Sequence, residues 1–146
     1  MEECPMERGE INHLVFQKNC PCGSGQLIVN CCEPIISGRK EAITAEALMR
    51  SRYTAFTRAN VDYLLFSHSV KTRPGKERKN IELWAKSVTW MGLSILNTEA
   101  GNANDETGYV EFKALFLENG MPDQIHEKSL FSRENGKWVY VSLIHL

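Results

Sequence analysis

The spacing of hydrophobic residues divides the chain into a helical part and a strand part. From Thr44 to about Asn60, apolar residues recur at intervals of three and four, which is typical of a helix that buries one face. Thr44 is a candidate N-cap, because its hydroxyl can accept a hydrogen bond from a free amide of the first turn. Asn60 is the expected end of this helix, and Asp62 is the expected cap of a shorter one. A third helical segment is expected over residues 80–86.

Alternating apolar and polar residues replace the helical spacing after residue 87. Four strands are predicted, over residues 88–96, 109–117, 124–133 and 137–144. The turn sequences between the last three are Asn119-Gly120-Met121-Pro122 and Glu134-Asn135-Gly136. One face of the second strand carries Val110, Phe112, Ala114 and Phe116. Helices followed by an antiparallel meander indicate an α+β fold in which a curved sheet wraps the long helix.

The predicted long helix carries one charged residue within its apolar stripe. On a helical wheel, Arg52 falls near the centre of the stripe, whereas Arg50 and Arg58 fall outside it. The apolar members of the stripe are Ala45, Leu48, Met49, Phe56 and Ala59. Since a buried guanidinium without an acceptor is destabilising, Arg52 needs a partner in the core.

The third strand offers a partner for this arginine. Its more apolar face carries Ile125, Glu127, Ser129 and Phe131. The alternation therefore sends His126 outward, and we predict that Glu127 points inward and pairs with Arg52. Tyr53 and Ser129 are expected nearby. Two interpretations remain open: a structural ion pair, or a polar patch at the base of a cavity that binds a small anionic or hydrogen-bonding ligand.

Size and charge exclude several classes of function. The chain has 146 residues, 42% of them hydrophobic, which suits one compact domain with a small appendage. Its 17 basic and 18 acidic residues nearly cancel, so the charge does not point to nucleic acid. No apolar run approaches the roughly 18 residues of a membrane helix, and the first residues lack the apolar core of a secretory signal. We therefore expect a cytoplasmic protein that neither enters a membrane nor binds nucleic acid.

Four of the five cysteines form a compact pattern. Cys20 and Cys22 make a C-x-C pair, and eight residues separate them from the adjacent Cys31 and Cys32. Thiols stay reduced in the cytoplasm, and four thiolates from two close pairs suit a closed tetrahedral zinc site. Because protein fills all four positions, the expected role of the single zinc ion is structural. Free thiols or a strained vicinal disulfide are the alternative, and Cys4 has no expected role.

The cysteine segment resembles the SEC-C motif, whose pattern begins Cys-Pro-Cys-Gly-Ser-Gly and ends with Cys followed by Cys or His. Here Cys20-Pro21-Cys22-Gly23-Ser24-Gly25 matches the beginning, and Cys31-Cys32 matches the end. The resemblance implies zinc binding and docking to protein, as in the tail of the bacterial preprotein-translocase motor. The motif usually has lysines and an aromatic residue between its ligand pairs, whereas this chain has Gln26-Leu27-Ile28-Val29. We therefore expect the tip to contact the following domain or an apolar groove rather than an acidic surface.

The chain as a whole resembles the bacterial YchJ-like family. The blocks that carry the resemblance are the cysteine motif and residues 44–53, 62–65, 72–74, 110–112 and 126–129. The resemblance implies a nuclear-transport-factor-2-like cone, in which a curved antiparallel sheet cups helices, and it brings no established activity. It divides the chain into a lead-in over residues 1–19, a SEC-C motif over 20–36 and a cone domain over 40–146.

Two functions are expected from these features. In the first, which we prefer because the metal is fully ligated, a non-catalytic adaptor docks a protein or ribonucleoprotein through its zinc motif. In the second, the cone is a small isomerase, dehydratase or hydrolase in which Arg52 binds an anion, Glu127 acts as acid or base and Tyr53 orients the substrate. A deep pocket that reaches Glu127 favours the second function, and an exposed apolar tip over residues 27–29 favours docking.

Overall fold

The structure is a computed structural model that describes residues 18–144 of the chain. Within this range, the helices are α1 (Cys32–Ile36), α2 (Ala45–Thr57), α3 (Val61–Phe66) and α4 (Arg78–Ser87), with short 3-10 turns at Ile28–Asn30 and Gly75–Glu77. The strands are β1 (Thr89–Ala100), β2 (Thr107–Glu118), β3 (Met121–Glu134) and β4 (Lys137–Ile144). The predicted α+β class is confirmed. Most of the expected lead-in, with Cys4, lies outside the described residues.

The strands form an antiparallel meander in the order β1-β2-β3-β4. Asn119-Gly120 joins β2 to β3, and Asn135-Gly136 joins β3 to β4. All four of these residues have a positive φ, between 53° and 78°, which two-residue hairpin turns require in order to match the twist of the strands. Met121 and Pro122 were expected in the first turn but begin β3, because the turn closes within two residues.

The ends of the helices follow their polar caps. Thr44 caps α2 as predicted, since its hydroxyl accepts a hydrogen bond from a first-turn amide at 3.0 Å. The helix ends before Asn60, because Ala59 adopts a left-handed φ of 52°. Asn60 instead caps α3, and its Oδ1 accepts a hydrogen bond from an amide of that helix at 3.0 Å. Asp62, which was the expected cap, lies in the first turn of α3.

Helix α2 packs against the inner face of the sheet. The predicted inward residues of β2 are all buried, namely Val110, Phe112, Ala114 and Phe116. Together with Leu48, Met49 and Tyr53 of α2, the first three belong to one hydrophobic core. The strand alternation thus places the sheet over the apolar stripe of the helix, as the sequence pattern predicts.

The cysteine motif packs onto this same core. Cys20, Cys22 and Cys32 are buried within the hydrophobic cluster that contains α2. At the rim, Glu33 of α1 forms an ion pair with Arg58 at 2.6 Å. The boundary expected between residues 36 and 40 therefore separates two sequence motifs, whereas the packed core is continuous across it.

The start of α2 touches the β1–β2 hairpin where two glycines meet. The Ala45 amide donates a hydrogen bond to the Gly101 carbonyl at 2.9 Å. A Cβ atom added at Gly108 would lie 2.4 Å from Gly101 Cα, far inside van der Waals contact. Since backbone cannot move aside as a flexible side chain can, only glycine fits at residue 108 without displacing the hairpin.

We expect Gly108→Ala to lower the free energy of unfolding by about 2–3 kcal/mol, as overpacking at a rigid position does. Urea unfolding followed by circular dichroism measures the change. Gly75→Ala is the matched control, because a Cβ atom at Gly75 meets nothing within 4 Å. Equal stability of the two variants would contradict the close approach of the glycines.

Candidate functional site

The four cysteines of the motif converge on one point. Their Sγ atoms all lie within 4.8 Å of one another, with Cys22 and Cys31 at 3.6 Å and Cys31 and Cys32 at 3.9 Å. Four sulfurs arranged tetrahedrally at about 2.3 Å from a zinc-sized ion would be about 3.8 Å apart. Cys20, Cys22, Cys31 and Cys32 therefore form a group that could hold one metal ion.

The turn after the first cysteine pair shapes the cluster. Gly23 and Gly25 have φ values of 82° and 85°, so the chain reverses direction through backbone that glycine tolerates best. Ser24, which lies between them, has its hydroxyl 3.2 Å from the Cys31 sulfur. The Gly-Ser-Gly sequence thus brings a hydrogen-bond donor to a ligand that comes from the second pair.

Helix α2 completes the surroundings of the sulfurs. Arg50 donates from Nη1 to the Cys22 carbonyl at 2.7 Å and lies 3.8 Å from the Cys22 sulfur. One turn further along, the Thr54 hydroxyl is 3.5 Å from the Cys20 sulfur. Arg50 also forms an ion pair with Glu46 at 2.9 Å. These contacts fix the cysteine motif to one face of α2.

The thiols cannot all ionise without a cation. Hydrogen bonding with Cys20 lowers the pKa of Cys22 far below its usual range and raises that of Cys32 far above it. Burial raises the pKa of Cys31. A bound cation reverses this competition, because coordination deprotonates each thiol. The donor set therefore fits a soft divalent metal.

A cavity of about 250 Å³ lies between α2 and the sheet, and Met49, Arg52, Tyr53 and Phe56 of the helix line it. Most of its wall is apolar and includes Met49, Phe56, Ile81, Trp90, Ala114 and Ile125. The polar groups in its wall are Arg52, Tyr53, His68, Glu127 and Tyr140. The cavity therefore brings together three of the four predicted pocket residues, with Arg52 and Tyr53 from the helix and Glu127 from β3.

Arg52 is buried as predicted, with 7% of its surface exposed, but it does not pair directly with Glu127. Its Nη1 donates to the Leu64 carbonyl at 2.8 Å and to the Ser67 hydroxyl at 2.7 Å. Its guanidinium also lies 4.7 Å from the centroid of the Tyr140 ring. The predicted ion pair is wrong because the last turn of α3 has carbonyls without helical donors, and these lie nearer to the guanidinium.

Burial lowers the pKa of Arg52 to about 10, so this side chain remains cationic at neutral pH. Nε and Nη2 of its guanidinium donate no hydrogen bond to the described part of the chain. A buried positive charge therefore borders the cavity, with two donor atoms that no residue of 18–144 uses.

Glu127 faces the cavity from β3, as the strand alternation predicts. It forms no ion pair with any cation in residues 18–144. Burial raises its pKa, and the opposing effects of Ser129 and Arg52 do not cancel this shift. A carboxyl group of this kind can hold or release a proton nearer neutral pH than an exposed glutamate can.

Ser129 lies behind the cavity wall rather than in it. It is fully buried, and no partner in the described residues meets hydrogen-bond geometry with its hydroxyl, although that hydroxyl is near enough to Glu127 to oppose the rise in its pKa. The predicted inward orientation is confirmed, two residues along β3 from Glu127. A buried hydroxyl without a partner is rare and is found where ligands or ordered waters complete a site.

Two cavity residues were not predicted from the sequence. His68 follows α3 and pairs with Tyr140 of β4 across an isolated bridge, with the two rings 5.0 Å apart. Burial lowers the pKa of His68 to about 4, so the ring is neutral at pH 7. Neither residue breaks the local hydrophobic pattern, and only the long-range bridge places them at the cavity.

The outward face of the sheet carries a different set of polar contacts. His126 points away from the cavity, as predicted, and its Nε2 lies 2.8 Å from a carboxylate oxygen of Glu111 on the neighbouring strand. In the 27–29 tip, Ile28 packs against the core and Val29 is 44% exposed. None of the helices in residues 18–144 combines the length and apolarity needed to cross a membrane.

Several known proteins are similar to this chain. Residues 44–142 match the family described as "YchJ, middle NTF2-like domain". A UPF0225 protein of Photorhabdus laumondii is 44% identical over 124 residues, which are 84% of this chain and 77% of that protein.

Two solved structures share the fold and carry the same motif name. The solution structure of a SEC-C motif-containing protein from Rhodopseudomonas palustris has a TM-score of 0.80 and 29% identity, and the match covers 88% of this chain and 99% of that one. The crystal structure of a SEC-C motif-containing protein from Psychrobacter arcticus has a TM-score of 0.74 and 27% identity, covering 90% and 86%.

We expect Glu127→Gln to stabilise the protein at neutral pH. Burial raises the pKa of Glu127 above its ordinary 4.5, so its contribution to stability is present below that pH and is lost as the pH rises through the folded-state pKa. The gain from Glu127→Gln should therefore be largest above pH 7 and shrink towards pH 4.5. Urea unfolding across this pH range measures it.

The control for this experiment is Glu111→Gln, which removes a carboxylate from the outward face of the same sheet. Because this carboxylate lies beside His126, its removal should not stabilise the protein. A Glu127→Gln variant that is less stable than the parent protein at pH 7.5 would show that Glu127 has a partner after all.

Proposed function

The chain belongs to the YchJ-like UPF0225 family, and we propose on this premise that it is a small-molecule-binding protein whose ligand occupies the cavity between α2 and the sheet. The observation that carries the proposal is that two charged residues at the cavity have no oppositely charged partner within residues 18–144. Arg52 is bonded only to neutral groups, and Glu127 has no ion-pair partner among the described cations. Unsatisfied polar groups around an apolar cavity are typical of a ligand site.

The size of the cavity limits the ligand. Its volume of about 250 Å³ exceeds the roughly 150 Å³ of an engineered cavity that admits benzene. It is smaller than the roughly 300–1,000 Å³ of pockets for drug-sized molecules. The proposed ligand therefore has one or two rings, or an aliphatic body of similar volume, with a polar group that reaches Arg52 and Glu127.

Zinc is the metal that we propose for the cysteine cluster, with a structural role. Four thiolates supply a closed tetrahedral site, which leaves no position for water or substrate. Arg50 and Thr54 of α2 contact the motif, and Arg52 and Tyr53 of the same helix line the cavity. The metal would then hold in place the helix that carries two cavity residues. A cytoplasmic location fits, because thiols stay reduced there.

Proton transfer within the cavity is a second candidate function. Glu127 has a raised pKa and faces an apolar space, which is how enzymes prepare a carboxyl group as acid or base. Tyr53 and Arg52 would then have the orienting and anion-binding roles expected from the sequence. Docking through the tip of the zinc motif stays a prediction, and the partial burial of Leu27 and Ile28 leaves it a small surface.

Metal analysis of carefully reduced, untagged protein should find about one zinc ion per chain. Cys22→Ser should lose most of this zinc, and a chelator should lower the thermal midpoint of the parent protein. Cys4→Ser is the control thiol and should keep the metal. Zinc well below one per chain, or full zinc content in Cys22→Ser, would contradict the four-thiolate site.

A protein-observed NMR screen of small oxygen-containing molecules against nitrogen-15-labelled protein should yield binders that perturb amide signals around the cavity. Ala114→Leu adds atoms inside the cavity and should weaken these binders about tenfold or more. Leu115→Phe is the matched control, because Leu115 is the next residue of β2 and is 45% exposed on the outward face. Binding that survives Ala114→Leu unchanged would place the ligand elsewhere and defeat the proposal.

A further inference from the structure

The charge balance of the cavity depends on two residues. Arg52 of α2 is cationic, and Glu127 of β3 is an acid. The other titratable groups in the wall are neutral at pH 7: burial lowers the pKa of His68 to about 4 and raises the pKa of Tyr53 and Tyr140. The residues that β1, β2 and α4 bring to the wall are apolar, namely Trp90, Phe112, Ala114 and Ile81. Protonation of Glu127 would therefore leave the cavity with one net positive charge.

The polar and aromatic residues occupy different parts of the sheet. Tyr140 pairs with Phe131, and Glu127 lies on the same inward side of β3, so the polar groups gather near β4. Trp90 lies on β1 at the opposite edge, with its ring 5.7 Å from that of Tyr53 in an edge-on arrangement. The cavity thus runs from a polar side to an aromatic side.

Arg52 has donors that no described residue uses. Its Nη1 is bonded to two neutral oxygens, whereas Nε and Nη2 donate to nothing in the described residues. Two neighbouring guanidinium donors match the two oxygens of a carboxylate, and this pairing is stronger than one with a neutral carbonyl. A carboxylate would also compensate the buried positive charge, which a neutral ligand cannot do.

Resting on the proposed function, we infer that the cavity binds an aromatic carboxylate, with its carboxylate on Arg52 and Glu127 and its ring towards Trp90. Glu127 binds a proton from the solvent when the anion enters, because two carboxylates side by side cannot both stay ionised. The protonated carboxyl group then donates a hydrogen bond to the ligand. Binding therefore takes up as much as one proton per ligand.

Calorimetric titration with benzoate and with benzamide at pH 7 tests this inference. The two probes have the same ring, but only benzoate carries a charge, and we expect it to bind about tenfold or more tightly. Titrations in two buffers of different ionisation enthalpy measure the protons taken up. In Glu127→Gln this proton uptake should disappear, and in Arg52→Met the preference for benzoate should disappear. The Glu127→Gln measurement decides the inference even if Arg52→Met fails to fold.

The outcomes separate the inference from the proposed function. Benzamide binding as tightly as benzoate, or unchanged proton uptake in Glu127→Gln, overturns the carboxylate inference and leaves the cavity as a binding site. A third outcome is that neither probe binds, while another molecule from the screen binds the parent protein and binds Ala114→Leu more weakly. The ligand class is then wrong, and the proposed function stands. If no molecule in the screen binds in the cavity, both fail.

Discussion

Two groups of residues on helix α2 are buried against two different parts of the structure. In one group, Arg50 and Thr54 contact the cysteine motif. In the other, Arg52 and Tyr53 line the cavity. A helix of 13 residues is only marginally stable by its own helix propensity, so the position of α2 depends on tertiary contacts. The cysteine motif and the sheet together supply those contacts, and the geometry of the cavity follows from them.

The region around the cavity contains polar groups that lower the stability of the fold. Apolar interiors normally leave neither a carboxyl group without an ion pair nor a buried hydroxyl without a hydrogen bond, yet within residues 18–144 Glu127 and Ser129 have these features two positions apart on β3. Towards β1, Trp84, Trp90 and Phe116 form an aromatic cluster in which Trp84 meets the other two rings edge-on. Unsatisfied polar groups next to well-packed neighbours are characteristic of functional sites.

The residues of the cavity were partly predictable, for reasons that differ from one residue to the next. Helical periodicity placed Arg52 in the core-facing stripe, and strand alternation turned Glu127 inward and His126 outward. His68 and Tyr140 could not be predicted, because a bridge between a loop and β4 brings them together. The prediction of a direct ion pair was wrong for a related reason. Arg52 donates to a backbone carbonyl near the end of α3, and the pattern of side chains in a sequence does not indicate such acceptors.

The sequence by itself determined the fold class, the positions of the Asn-Gly hairpin turns, the cap of α2 and the four cysteines of the cluster. All of these depend on residues that are neighbours in the chain, where the spacing of two or 3.6 residues, an Asn-Gly turn or a pair of close cysteines specifies the geometry. Only the tertiary structure decided which acceptors Arg52 uses, that Glu127 forms no ion pair with a described cation, and that the cysteine motif shares the core of the main domain. Those features depend on distances between elements that are far apart in the chain, and such distances are set by packing.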